Sequence, residues 1–137
     1  MMAIHSYLTF NGNCREAMVF YKNCLGGELY LQTIGESPVA EKMPEKIKNY
    51  ILHSTLTKDS FVLMASDMVE EKGLIKGNSV SLMLDCSSEE ELKHCYNCLS
   101  EEGEQTHPVE LSFWGAWFGN LTDKYGNHWL LHYQKKQ

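Results

Sequence analysis

Six histidines carry much of the chemistry open to this 137-residue chain. A neutral imidazole accepts a proton or a metal at one nitrogen while the other donates. Histidines facing one way from strands are therefore candidates for acid–base work or ligation. His5, His53, His128 and His132 fall in segments that alternate as strands, whereas His94 and His107 read as surface residues. Aromatic rings gather beside two of them. The stretch Leu111–Tyr133 holds all three tryptophans, Trp114, Trp117 and Trp129, with Phe113 and Phe118. Such clusters supply large apolar area with a few polar handles. Trp129 reads as core. Trp114 and Trp117, beside Gly115 and Gly119, read equally as core or as pocket wall. The candidate ligand-contacting set is His5, Tyr7, His53, Ser66, Asp67, Phe113, Trp114, Trp117 and His128. Within it His128 fits a solvated strand end as well. His5 and His53 are the metal candidates, with Ser66 and Asp67 the nearest polar groups and no carboxylate obviously placed.

Other chemistries find less support. No Ser–His–Asp or Cys–His spacing argues for a nucleophile. The five cysteines (Cys14, Cys24, Cys86, Cys95, Cys98) are odd in number. The C-x-x-C of Cys95 and Cys98 falls inside a predicted helix, so buried reduced thiols are expected rather than redox or metal chemistry. No G-x-G-x-G follows a strand to cradle S-adenosylmethionine, and there is no P-loop. Net charge is −6 and Arg15 is the sole arginine, which disfavours nucleic acid. No apolar run reaches membrane-spanning length, and the start lacks a signal peptide's pattern, so a cytoplasmic location is expected.

The elements that must position these groups repeat. Ile4–Phe10 alternates as a strand, with His5, Tyr7 and Thr9 on one face. Asn13 is placed to cap a helix, with Glu16 as its capping-box partner. Cys14, Ala17, Met18, Tyr21, Cys24 and Leu25 form the helix's apolar stripe, and Gly26-Gly27 stops it. Strands follow at Glu28–Ile34, Tyr50–Thr57 and Phe61–Ser66. Between the first two, Gly35–Lys48 reads as a mobile flap. The pattern then restarts, with a strand at Ser79–Asp85, a helix from Ser88 with Glu91 as capping-box partner, and strands at Gln105–Val109, Trp117–Thr122 and His128–Tyr133. Asp123–Gly126 turns between the last two. A 74-residue shift lays Leu8 on Leu82, Phe10 on Leu84 and Met18 on Leu92. A repeat of this kind is a strong fold signal. The reading is α+β, two βαβββ modules forming a cupped mixed sheet around a central cleft. They make one domain over 1–137, with modules at about 1–67 and 79–137.

Paired modules of this order, opening H-x-x-L-x-F-x-G with a helix like A-x-x-F-Y-x-x-x-L-G-G, resemble the vicinal oxygen chelate superfamily. That group holds glyoxalase I, extradiol dioxygenases and fosfomycin and bleomycin resistance proteins. YLTFNGNCREAMVFYKNCLGGEL, KMPEKIKNYILHSTL, FVLMASD and FWGAWFGNLTDKYGNHW resemble its PhnB-like subgroup. The resemblance implies the two-module glyoxalase-like fold and a homodimer. It also implies a divalent metal held by a histidine on the first strand of each module and a carboxylate, or a histidine, on the fourth. Those positions fall on His5, Leu63 or Met64, Ser79 and Leu130, so one of four matches and no bound cofactor is expected. The subgroup's common arginine falls on Trp117.

Three readings follow. The first is a small-molecule binding protein of the glyoxalase/bleomycin-resistance type, with the usual metal site mostly lost. The second is a metal-assisted lyase, isomerase or dioxygenase built on His5 and His53, with the metal as Lewis acid on vicinal oxygens. The third is a degenerate module serving a protein–protein contact.

Overall fold

The apolar spacing that predicts each helix also decides which sheet face it covers. In the computed structural model, residues 1–68 and 73–135 are described. The chain divides into two units, Met1–Ile75 and Lys76–Gln137. The first holds β1 (Ser6–Phe10), α1 (Cys14–Leu25), β2 (Glu28–Thr33), β3 (Ile51–Lys58) and β4 (Phe61–Asp67). The second holds β5 (Leu82–Asp85), α2 (Glu89–Leu99), β6 (Glu104–Leu111), β7 (Ala116–Thr122) and β8 (His128–Gln134). The sheets run β1-β4-β3-β2 and β5-β8-β7-β6. In each, the first and last strands pair parallel and the remaining neighbours antiparallel. The α+β class and the repeated βαβββ unit are thus as the sequence reads. No helix among the described residues is long and apolar enough to cross a membrane.

In the first unit, α1 buries the predicted stripe, Cys14, Ala17, Met18, Tyr21, Cys24 and Leu25, and packs across β2, β3 and β4. Phe10, Ile51, Ser54, Leu56, Leu63 and Ala65 are buried with it. Each large side chain so buried contributes roughly 1.5–3 kcal/mol. The start of α1 departs from expectation. Asn13 makes no side-chain cap, and the Asn13–Glu16 capping box is absent. The Asp67 carboxylate takes that role, accepting the N–H groups of Gly12 (2.8 Å) and Cys14 (3.0 Å) at Oδ1 and of Ile51 (2.8 Å) at Oδ2. A carboxylate at a helix start both satisfies orphan donors and suits the helix dipole.

One further expectation is corrected here. Residues 34–47 are not a featureless flap. They fold as three 3-10 turns (Ile34–Glu36, Ala40–Lys42 and Glu45–Ile47), tied back by Ile34 N–H to the Tyr50 carbonyl and Gly35 N–H to that of Lys48. Between β2 and β3 the register jumps from Gln32–His53 to Thr33–Ile51. Leu52 is the extra residue of this bulge and is exposed, while Ile51 enters the core.

In the second unit, Leu92, Cys95, Tyr96 and Leu99 make the buried stripe of α2, which packs on β7 and β8. The Ser88 hydroxyl accepts the Glu91 N–H at 3.0 Å. The Glu91 carboxylate reaches back to the N–H and hydroxyl of Ser87, one residue earlier than a capping box requires. Gly119 serves this packing rather than a binding wall. A Cβ there would lie 2.9 Å from Val109 Cγ2 and 3.1 Å from Tyr96 Cε2. Cys14, Cys86 and Cys95 are buried reduced thiols, as expected, whereas Cys24 and Cys98 are disulfide-bonded rather than reduced.

Candidate functional site

Strand alternation sorts the candidates before any distance is measured. In the first unit the side chains opposite α1 include Tyr7, Thr9, His53, Met64 and Ser66. Three of them meet. The Tyr7 hydroxyl donates to Ser66 Oγ at 3.0 Å, and its ring stacks on His53 with centroids 6.4 Å apart and planes at 30°. His5 precedes β1 and is exposed. Asp67 does not join this group. It lies on the α1 side, 7% exposed, with both carboxylate oxygens committed to backbone N–H groups. Its predicted place among the ligand contacts is replaced by a structural one.

In the second unit β7 and β8 pair Trp117 with Tyr133, Phe118 with His132, Leu121 with Trp129 and Thr122 with His128. Paired residues share a face, so Trp117 and Trp129 lie on the α2 side and Phe118, His132 and His128 on the other. Trp129 is buried, and its Nε1 donates to Asp123 Oδ2 at 2.8 Å. Trp117 sits under the Lys93 ammonium, 4.9 Å from the ring centroid, a cation–π contact with α2. The expected shared wall of Trp114 and Trp117 is therefore not formed.

Trp114 instead meets Phe118. The turn Ser112–Gly115 is closed by Ser112, whose hydroxyl donates to the Ala116 carbonyl at 2.7 Å and accepts the Ala116 N–H at 3.0 Å. Gly115 takes φ +91° there. This turn presents Phe113 and Trp114, which are 97% and 53% exposed. Edge contacts run from Phe113 to Trp114 (4.8 Å) and on to Phe118 (5.7 Å), and the Phe118 ring lies 5.0 Å from that of His132. The ladder ends on charge, with His132 Nδ1 2.8 Å from Asp85 Oδ1. Parallel pairing of β5 with β8 sets Asp85 opposite His132.

A groove lies at this end of the sheet, lined by Asp85, Cys86, Ser87, His132, Tyr133, Gln134 and Lys135. Burial, first among its causes, pushes the Cys86 thiol up to about 12, so it is no nucleophile at neutral pH. His128 is spoken for within its own unit. Its Nδ1 lies 2.9 Å from Thr122 Oγ1 and its Nε2 3.1 Å from the Gly77 carbonyl.

With the geometry in view, comparison with known proteins places the chain. The family described as 3-demethylubiquinone-9 3-methyltransferase matches residues 2–132. The chain belongs to that family. It is 31% identical over 145 residues to Protein YjdN of Escherichia coli strain K12, covering 99% of this chain and 98% of that one. Among solved structures, PA1353 from Pseudomonas aeruginosa superposes with a TM-score of 0.87 at 36% identity, covering 99% of this chain and 100% of that one. The PhnB protein from Bacillus cereus gives 0.75 at 26%, covering 96% and 99%. A glyoxalase/bleomycin resistance protein/dioxygenase from Nocardioides, at 16% identity and a TM-score of 0.57, covering 99% and 86%, shares the fold. The PhnB-like resemblance read from the sequence holds. Although the family description speaks of methyl transfer, neither sheet has the all-parallel doubly wound order that carries a glycine-rich nucleotide turn.

In this PhnB-like chain the positions that the superfamily gives to metal ligands do not fit a metal. Met64 lies in register with Tyr7 and Leu130 with Met83, apolar where carboxylates would stand. Among the described residues no three His, Cys, Asp or Glu side chains gather to hold an ion. The sequence set also missed two residues that the structure brings into the ladder, Asp85 and Phe118. Pairing the last strand of the second module with its first, as the repeat requires, would have found Asp85. Alternation from Gly119 would have set Phe118 apart from Trp117.

Proposed function

We propose that this chain is a small-molecule-binding protein of the glyoxalase/bleomycin-resistance type, taking an aromatic or part-apolar ligand. The observation that supports this is the ladder Trp114–Phe118–His132–Asp85, opposite α2. It offers ring faces and edges, then one hydrogen-bonding group, then a charge. Binding sites combine these elements, apolar area for affinity and few polar groups for orientation. The Tyr7–His53–Ser66 group gives the first unit a comparable polar–aromatic patch. The test is tryptophan emission of the full chain against a panel of fused-ring aromatic compounds, repeated with Trp114→Ala and Phe118→Ala. Saturable quenching that both variants weaken supports the reading. Quenching by none of the panel, or quenching equal in all three proteins, defeats it.

The same reading has two companions. No tightly bound metal is proposed, because of the donor set above. About one equivalent of zinc, iron or nickel after dialysis against a weak chelator would overturn that. A homodimer is proposed, because each small sheet carries two edge strands that need cover. Sedimentation at micromolar concentration showing monomer alone would refute it.

A further inference from the structure

We propose that His132 is a proton acceptor for the ligand, and that the ligand class is an aromatic compound bearing a phenol-type hydroxyl. This rests on the binding function proposed above and adds the chemistry of the group recognised. A lone histidine on a strand binds nothing in particular. Its neighbours supply the rest. Asp85 Oδ1 stands 2.8 Å from Nδ1, and a carboxylate there accepts the Nδ1 proton. That fixes the tautomer in which Nε2 carries the lone pair. Among the described residues Nε2 has no partner, in contrast to His128, whose two ring nitrogens are both engaged. The His132 side chain is 17% exposed, so the base is sheltered, while Asp85 at 73% remains in water.

The surroundings select the ligand. Phe118 lies 5.0 Å from the imidazole, and Trp114 meets Phe118 edge-on at 5.7 Å, so a planar ring is favoured next to the base. The titratable groups that line the groove are Asp85 on β5, Cys86 after it, and Tyr133 and Lys135 beside His132 at the end of β8. Glu110 on β6 faces the same side through its pairing with Phe118. Cys86 stays neutral, so Lys135 is the cation available to an anionic ligand oxygen. In the step inferred, the ligand O–H bond breaks and an N–H bond forms at Nε2. The electron pair stays on the oxygen as a phenolate, held by imidazolium and faced by the lysine. An imidazolium flanked by Asp85 is stabilised in turn, as charge-assisted hydrogen bonds are.

The probes are 4-nitrophenol, whose phenolate is coloured, and its methyl ether 4-nitroanisole, which has the same ring and no acidic proton. Both are titrated into the full-length protein at a pH slightly below the solution pKa of the phenol. The expected result is tighter binding of the phenol by roughly tenfold, with growth of the phenolate band on binding. His132→Phe should abolish both the preference and the band. Asp85→Asn, at an exposed position where folding is not at risk, should reduce the preference and the band together. Equal binding of phenol and ether by the wild-type protein, or a phenolate band unchanged in either variant, overturns the inference and leaves the binding function standing. Failure of both probes to bind overturns the inference. The binding function is then judged separately by the fused-ring panel.

Discussion

Cys14 donates its backbone N–H to Asp67 across 53 positions of chain, at 3.0 Å. The same carboxylate takes the N–H of Gly12 and of Ile51, so a single side chain closes the β1–α1 turn, starts the helix and fixes the first residue of β3. Asp67→Ala leaves three donors without acceptors and should cost well over the roughly 1–3 kcal/mol expected for one. Asp67→Asn keeps the shape but turns an amide N–H₂ toward a backbone donor, and should cost about 1–3 kcal/mol. Thermal melts measure both. Ligand affinity per folded molecule should not change in the Asn variant, and a selective loss of binding with unchanged stability would return Asp67 to the site.

What the sequence shows and what it hides separate along physical lines. The helix stripes, the strand order of each module and the Asp123–Gly126 turn rest on local spacing, and local spacing survives folding. The cap of α1 does not, because Asn13 looks sufficient until a carboxylate distant in the chain is brought beside it by the pairing of β4 with β1. The bulge at Leu52 is hidden too, since one unpaired residue breaks the alternation of β3, turning Ile51 inward and Leu52 outward. The site suffers most from this limit. Trp114 and Trp117 look alike in W-G-A-W, yet the turn carries one outward and the strand carries the other beneath Lys93.

The thiols of Cys14 and Cys86 give a pH signature. Burial, the largest cause in each, pushes both up from 9.0 to about 12. A raised folded-state value means that the unfolded chain releases these protons first. The thiols therefore favour the fold fully below about pH 9 and progressively less between pH 9 and 12. The melting temperature should fall across that window, and Cys14→Ser with Cys86→Ser should flatten the part of the fall that belongs to them. Native protein at pH 8 should also resist iodoacetamide at both positions, read by peptide mass mapping. Rapid labelling of Cys14 under those conditions would contradict the buried, protonated state.

Tyr96 and Gly119 form one packing unit on the α2 side. The Tyr96 hydroxyl lies 2.8 Å from the His107 carbonyl and 3.2 Å from that of Asn120, and donates to them over the bare Cα of Gly119. Gly119→Ala should cost about 1–3 kcal/mol by overpacking, and Tyr96→Phe about 1 kcal/mol by loss of the hydroxyl. A Gly119→Ala, Tyr96→Ala double variant should be less unstable than the Gly119→Ala and Tyr96→Ala single effects added together, because the small side chain makes room for the methyl. Strict additivity in denaturant titrations would show that the two positions do not share this contact.

The three tryptophans offer the sharpest comparison, because each loses the same indole on truncation and differs in surroundings alone. Trp129 is 4% exposed and hydrogen-bonded through Nε1 to Asp123, so Trp129→Ala removes core volume together with that buried hydrogen bond. A loss of about 3–5 kcal/mol is expected, as for other large buried side chains. Trp117→Ala removes a half-buried ring under Lys93 and should cost about 1 kcal/mol, the scale of an exposed cation–π contact and its area, with little effect on ligands. Trp114→Ala, on the outward turn, should leave the melt nearly unchanged and weaken aromatic ligands most. Thermal melts and fluorescence or absorbance titrations of the three variants, run side by side, resolve all five expectations. Ligand binding that follows Trp117 rather than Trp114 would move the site to the α2 face and end the case for the ladder.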